Sequence, residues 1–298
     1  MSGLPLALFA YAALAVIPTM SGGAQETSDV EVVAGRADAA DRMTVPVQIG
    51  SNGPYHFLLD TGSQKTVLST DLAARLALAP IEKKRIVGVA GFGTADTAVI
   101  DELGLGRRSF YGLTVLLFEA RHIGADGIVG TESLQDQRVL MDFTRNSMAV
   151  GDAKSLGGNS GFEIVVTARR KAGQLIMTHA DIDGVSTDVV IDTGSDTSIG
   201  NRALQRALGQ RSNLGQAVLA SVTGQDAVAD LGYAKRLGVG DIRISNIVIA
   251  YTDGPAFEAL DLDRRPALLL GMRELRLFKR VAIDFSTRKV MFDLPNEL

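Results

Sequence analysis

The chain has 298 residues, 30 Lys+Arg against 34 Asp+Glu for a net charge of −4, and no cysteine or tryptophan. That length is ample for a core that needs no disulfide or metal staple, and the missing cysteines exclude a disulfide framework, a thiol nucleophile, an iron–sulfur cluster and a Cys-based zinc site. The charge balance offers no basic footprint for nucleic acid, and three scattered histidines (His56, His122 and His179) argue against a His-ligated metal. No cofactor is expected, so any chemistry must be built from Asp, Glu, Ser, Thr, Lys and Arg.

In chain order, Leu4–Met20 comes first, 17 residues without a charge, followed by Ser21, Gly22, Gly23 and Ala24. An apolar run ending in small residues reads as a secretory signal over residues 1–24. Its departure is an n-region without Lys or Arg, so an uncleaved membrane anchor through residues 4–20 is the alternative. Either way the remainder is expected to be exported, to the periplasm or the medium. A membrane is a partner only if the segment stays uncleaved.

The rest is one design written twice. Residues 45–63 read VPVQIGSNGPYHFLLDTGS, and residues 177–195 read MTHADIDGVSTDVVIDTGS. Each runs through β-rich residues, a glycine-bearing turn predicted at Asn52-Gly53 or Asp183-Gly184, a second β-rich run and then Asp-Thr-Gly-Ser. Helix character follows at Thr70–Leu78 and at Asn201–Leu208. Hairpin candidates come next, at Val87–Thr94 and Ala220–Gln225. Further matches are LGLG (103–106) with LGVG (237–240), DGIVGTESL (126–134) with LLLGMREL (268–275), and VLMDF (139–143) with VAIDF (281–285). One shared tetrapeptide arises by chance at roughly one position in 10⁵; six ordered matches do not. The sequence therefore predicts a duplication, with lobes over 30–153 and 162–298 and a Gly/Ser/Asn-rich linker at 154–161. Long helices do not alternate with strands, so a parallel Rossmann layout fails. Asp142 and Asp284, repeated in the two lobes, are predicted to end a strand and start a turn. The acidic stretch Thr252–Pro266 reads as a solvated, inserted loop.

Each Asp-Thr-Gly-Ser follows an apolar run, so a strand leaving the core delivers a carboxylate into a tight turn. One such turn has an ordinary structural explanation. Two, in duplicated lobes, bring equivalent residues to a pseudo-two-fold axis. If the turns face each other there, Asp60 and Asp192 become a close carboxylate pair that shares one proton and titrates as a unit. Such a pair can activate a water against a carbonyl carbon, one member as base and the other as acid.

At this point the sequence resembles aspartic proteases of the pepsin/retropepsin group, and in layout the bacterial exported enzymes with two retropepsin-like lobes in one chain. The resemblance spans nearly all of the chain after the leader. It implies a mainly β fold of two similar retropepsin-like β-barrel lobes, related by a pseudo-two-fold axis with a cleft between them. It implies an aspartic endopeptidase acting on a polypeptide substrate, with Asp60 and Asp192 as the catalytic pair. Thr61 and Thr193 would exchange hydrogen bonds across the lobes beneath the pair, Gly62 and Gly194 would complete the turns, and Ser63 and Ser195 would hydrogen-bond the outer carboxylate oxygens. Gly130 and Gly271, each after two apolar residues, would support the loops that carry the acids. A flap over Val87–Val99 would cover the cleft, its tip near Gly91-Phe92-Gly93, with Ser221–Ala227 as a second flap. With both acids in one chain a monomer is expected. A two-lobed binding protein of the cell envelope that grips peptide without turnover is the alternative; intact Asp, Thr, Gly and Ser in both copies argue against it.

Overall fold

The computed structural model describes residues 36–37, 43–159, 161–209 and 213–295. The leader at 1–24, the expected start of the first lobe at 30, position 160 of the linker and residues 296–298 lie outside the described residues.

The first lobe contains β1 (Arg36–Ala37), β2 (Met43–Ile49), β3 (Asn52–Leu59), β4 (Val67–Ser69), α1 (Thr70–Arg75), β5 (Glu82–Gly88), β6 (Gly91–Leu105), β7 (Arg108–Phe118), α2 (Ala120–Ile123) and β8 (Gly127–Val129). Then come β9 (Arg138–Asp142), β10 (Ser147–Gly151) and β11 (Ile164–Thr167). The second lobe repeats the plan with β12 (Arg169–Lys171), β13 (Gln174–Ile182), β14 (Val185–Ile191), β15 (Ser198–Gly200), α3 (Arg202–Leu208), β16 (Asn213–Ala220), β17 (Asp226–Val239), β18 (Ile242–Tyr251), α4 (Pro255–Ala259), β19 (Ala267–Leu270) and α5 (Met272–Leu275). The chain closes with β20 (Arg280–Asp284) and β21 (Lys289–Asp293).

The duplication is complete at the level of pairing. The first sheet runs β1-β2-β3-β8-β4-β7-β6-β5 and the second β12-β13-β14-β19-β15-β18-β17-β16. Each curls on itself through the same extra pairing, β2 with β6 and β13 with β17. The expected mainly β, two-lobed architecture is therefore what the chain forms. The apolar run at the end of β3 (Phe57, Leu58, Leu59) and that of β14 (Val189, Val190, Ile191) are buried throughout. Both strands are central, pairing in parallel with β8 and β19, which explains continuous rather than alternating hydrophobicity.

A third sheet, β10-β9-β20-β21-β11, joins the halves. In it β9 pairs antiparallel with β20, Arg138 opposite Asp284 and Asp142 opposite Arg280. Residues 138–142 and 280–284 are also the repeated segments, so the pseudo-two-fold axis passes between Leu140 and Ala282. A single hydrophobic core runs from one lobe through this sheet into the other, including Val45, Val139, Met177 and Val281.

Some local expectations shift. The first hairpin turns at Gly50-Ser51, with Ile49 paired to Asn52, not at Asn52-Gly53. Gly50 takes the left-handed conformation (φ 55°) that starts the turn, and Asn52-Gly53 enters β3. Asp183-Gly184 does form the predicted turn, both residues at positive φ (48° and 84°). Helix α1 ends three residues early, because Ala77 turns left-handed (φ 53°). Its N-terminus is capped by the Ser69 hydroxyl, which accepts from Leu72 N; Asn201 does the same for α3.

Asp142 and Asp284 start turns as expected, accepting from Arg145 N and Thr287 N at 2.9 Å each. Asp284 also has a role the sequence did not disclose. It pairs with Arg138 across the lobes at 2.7 Å, both side chains fully buried. Burial alone would raise its pKa, but hydrogen bonds from Thr287 N, Ser286 and Arg138, with the Arg138 charge, outweigh that and hold it below the usual carboxylate range. Arg138 also donates to Gly158 O and Asn159 Oδ1, tying the linker to the central sheet. Thr252–Pro266 is not simply a solvated loop either: α4 forms within it, and Phe257, Leu260 and Leu262 are buried in the second lobe.

Candidate active site

The two Asp-Thr-Gly-Ser turns meet at the axis. Each Asp is held where its strand leaves the sheet, with Asp60 N donating to Val129 O (3.1 Å) and Asp192 N to Leu270 O (3.0 Å). The Asp60 carboxylate accepts from Gly62 N at 2.7 Å and Ser63 N at 3.0 Å, and that of Asp192 accepts from Gly194 N at 3.1 Å. Beneath them Thr61 and Thr193 interlock. Thr61 Oγ1 donates to Ile191 O (2.8 Å) and accepts from Thr193 N (3.2 Å). Thr193 Oγ1 donates to Leu59 O (2.7 Å) and accepts from Thr61 N (3.0 Å).

The glycines explain themselves by what lies over them. A Cβ on Gly62 would sit 2.5 Å from Asp192 Oδ1, and one on Gly194 would sit 2.4 Å from the Asp60 carboxylate. Each turn is thus packed under the other lobe's acid, and only glycine leaves room for it. The carboxylates are nearly sealed from water, Asp60 2% and Asp192 1% exposed. Burial, and then the charge of Asp60, push the Asp192 carboxyl well above the ordinary range, against the opposing pull of the Gly194 and Ser195 N–H groups. Two buried carboxylates this close cannot both carry charge.

Gly130 and Gly271 stand directly behind the turns. Cβ atoms there would meet Lys65 C at 2.4 Å and Thr197 C at 2.7 Å. The residues after them grip the turns through Thr131 N to Ser63 O and Met272 N to Ser195 O, both 2.8 Å. The serines depart from expectation. The Ser63 hydroxyl donates to Lys65 O (2.8 Å) and that of Ser195 to Thr197 O (2.7 Å). A hydroxyl has one proton to give, so these hydroxyls brace their own loops, and what Ser63 gives its carboxylate is the backbone N–H.

The hairpins also differ in detail. β5 and β6 pair to Gly88–Gly91, so the first tip is Val89-Ala90, two residues before the expected Gly91-Phe92-Gly93. Those three lie on the returning strand, with Phe92 exposed. The second hairpin, β16–β17, turns over Ser221–Gln225 as expected. The tips meet each other, Gln225 Nε2 donating to Phe92 O at 3.2 Å. Each then inserts a valine into the opposite lobe. Val89, 4% exposed, packs with Val190, Ile199, Leu219 and Phe257 of the second lobe. Val222, 3% exposed, packs with Leu58, Ile86, Leu116 and Ile128 of the first. The signal was present in the sequence: Val87-Gly88-Val89-Ala90-Gly91 and Ala220-Ser221-Val222-Thr223-Gly224 align, with a buried valine at the centre of each.

Other contributors had no sequence signature. Gln174, fully buried at the start of β13, donates to Gly62 O at 2.5 Å and props the first turn from the second lobe. Glu132 accepts from Thr66 N and pairs with Lys65 at 2.5 Å. In the second lobe Thr197 stands in the place of Lys65 and Arg273 in that of Glu132, its N donating to Asp196 O as Glu132 N does to Gln64 O; Glu274 takes the place of Ser133 and accepts from Ser198. Burial, opposed by the Ser198 hydrogen bond, raises the pKa of Glu274.

A family model described as "Aspartyl protease" matches residues 45–133 and again 178–273, together more than half of the chain. The chain belongs to the aspartyl protease family. Both matched segments contain one Asp-Thr-Gly-Ser turn and one supporting glycine, so this aspartyl protease carries the family unit twice. No curated protein matches it in sequence. Among the described residues no helix is long and apolar enough to cross a membrane.

Proposed function

We propose that this aspartyl protease is an endopeptidase in which Asp60 and Asp192 share one proton and activate a water between them. The observation that carries the reading is the crossed packing of the two acids, each over the other lobe's glycine, with a buried carboxyl whose pKa is raised partly by its partner's charge. The ionised member takes a proton from the water as its oxygen attacks the scissile carbonyl carbon. The protonated member gives its proton to the carbonyl oxygen, leaving a tetrahedral diol. The acid that took the water's proton gives it to the leaving nitrogen as the C–N bond breaks, while a diol hydroxyl passes its proton to the other carboxylate, which yields an acid and an amine and leaves the pair holding one proton again.

The paired hairpins favour an extended polypeptide segment, gripped partly through backbone hydrogen bonds. Because the valine-tipped hairpins interlock across the two lobes, substrate enters by parting them. One chain supplies both acids, so it works as a monomer, exported by its apolar leader. The test is Asp60→Asn in the purified mature chain on a peptide library. Loss of cleavage with retained folding is expected, and unchanged cleavage overturns the reading. Binding of a statine-type transition-state mimic with no turnover by the wild type would mark a peptide binder instead.

A further inference from the structure

The first Asp-Thr-Gly-Ser turn is held from the second lobe as well as from its own. Gln174, which opens β13 and is fully buried, donates from Nε2 to Gly62 O at 2.5 Å. That carbonyl belongs to the Gly62–Ser63 peptide. The N–H at the other end of the same peptide, that of Ser63, donates to Asp60 Oδ1 at 3.0 Å. A continuous path therefore runs from the Gln174 amide, through one peptide group, to the Asp60 carboxylate. A hydrogen bond accepted by a peptide carbonyl draws electron density towards the oxygen and makes the N–H of that peptide a stronger donor, by about 10–30%. A stronger donor at Oδ1 favours the ionised carboxylate.

Gln174 is fixed where it stands. It follows the Ala172-Gly173 turn between β12 and β13, both residues at positive φ (49° and 83°). Gln135 of the first lobe donates to Gly173 O at 3.1 Å and to Thr131 O at 2.7 Å, and Thr131 N in turn donates to Ser63 O. A Cβ on Gly173 would lie 2.9 Å from Thr131 Oγ1. The β12–β13 turn of the second lobe is thus seated on the segment that grips the first lobe's acid-bearing turn. A displacement of either lobe is felt at Gly62 O.

The donor is what Gln174 brings. Among the described residues its Oε1 is buried with no hydrogen-bond partner, so the side chain serves this turn through Nε2 alone. The charged groups about the turn are Asp192 across the axis and the Lys65–Glu132 pair, closed on itself at 2.5 Å. The repeat spacing puts Arg42, which lies outside the described residues, at the matching position of the first lobe, so the glutamine is not itself repeated.

We propose that Gln174 is a positioning residue for the reaction: acting through the Gly62–Ser63 peptide, it holds the Asp60 carboxylate in place and favours Asp60 as the ionised member of the pair, the one that takes the water's proton. This rests on the peptidase reading above.

The test is the pH profile of kcat and KM on one cleaved library peptide, for the mature wild type, Gln174→Met and Gln174→Glu, with a urea titration of each to report folding. Met keeps the length and has no donor. Its kcat is expected to fall about tenfold with KM within about twofold, and its acidic limb to move up by about 0.5 unit. Glu donates to Gly62 O only while protonated, the state that burial favours. It is expected to match wild type at about pH 4 and to lose kcat as pH rises, along a limb that wild type lacks. A Met variant with an unmoved acidic limb, or a Glu variant as impaired as Met at the acidic end, overturns the inference and leaves the peptidase reading standing. Should Gln174→Met fail to fold, the Glu profile decides alone. Absence of turnover by wild type on every peptide overturns both.

Discussion

The interlocked threonines are the part of the site whose energetics can be worked from single atoms. Replacing Thr61 by Val keeps the branched shape and deletes Oγ1. Thr193 N loses its acceptor at 3.2 Å and Ile191 O loses its donor at 2.8 Å, in a place where Thr61 is 3% and Thr193 6% exposed. Each buried group left without a partner costs about 1–3 kcal/mol, so Thr61→Val is expected to destabilise by about 2–6 kcal/mol. At a urea m-value of about 2.5 kcal/mol/M the midpoint falls by about 1–2 M. Thr193→Val should cost the same, since its bonds to Leu59 O and from Thr61 N mirror the first set. Thr61→Ser retains the oxygen and should stay within about 1 kcal/mol of wild type. Activity is the second readout: displacing one acid relative to the other by a fraction of an ångström lowers kcat by about tenfold or more. Urea titrations of the three variants, with kcat on one cleaved peptide, decide the matter. A Val variant as stable as wild type, or a Ser variant as damaged as Val, would refute the reasoning that the hydroxyls, rather than shape, hold the turns.

Two further outcomes follow from the same site. Since the folded-state pKa of Asp192 is raised, the folded chain keeps a proton that the unfolded chain releases near pH 4; the stabilisation is full below that pH and is lost as pH rises through the folded value. Asp192→Asn should abolish that decline and unfold at higher denaturant than wild type at pH 7, while parallel pH profiles for the two would contradict the assignment. Val89→Ala removes about 1.5 kcal/mol of apolar burial, at about 0.8 per methylene, from a side chain 4% exposed in the opposite lobe. Amides of the first hairpin (82–94) should then exchange about tenfold faster with the central sheet unaffected, and unchanged exchange would show that the valine does not latch the hairpin.

The duplication was legible in the sequence because it rests on words that tolerate little change. Asp60, Thr61, Gly62 and their repeats are fixed by atoms within bonding distance, and a Cβ on either glycine would strike a carboxylate. The apolar runs before them were legible because centre strands are buried on both faces. The hairpin tip was displaced by two residues because Gly91-Phe92-Gly93 looks like a turn by composition, whereas the turn is set by the pairing of Gly88 with Gly91. The serine hydroxyls were misassigned because several acceptors lie within reach of one proton, and only geometry chooses Lys65 O over the carboxylate. Contacts between residues far apart in the chain, such as Gln174 with Gly62 or Arg138 with Asp284, leave no local pattern to read.

A duplicated chain can do something that two identical subunits cannot: it can keep the paired machinery equal and let what surrounds it diverge. Here equality stops one layer out from the acids. The Asp, Thr, Gly and Ser of each turn are the same, but Lys65 pairs with Glu132 behind the first, whereas behind the second Thr197 replaces the lysine and Arg273 stands at the position of Glu132. The same break in symmetry puts Lys84 and Arg85 on the first hairpin where the second has Ala217 and Val218. A variant that equalises these unrepeated residues, rather than one that removes an acid, is the sharper probe of why the two lobes share one chain.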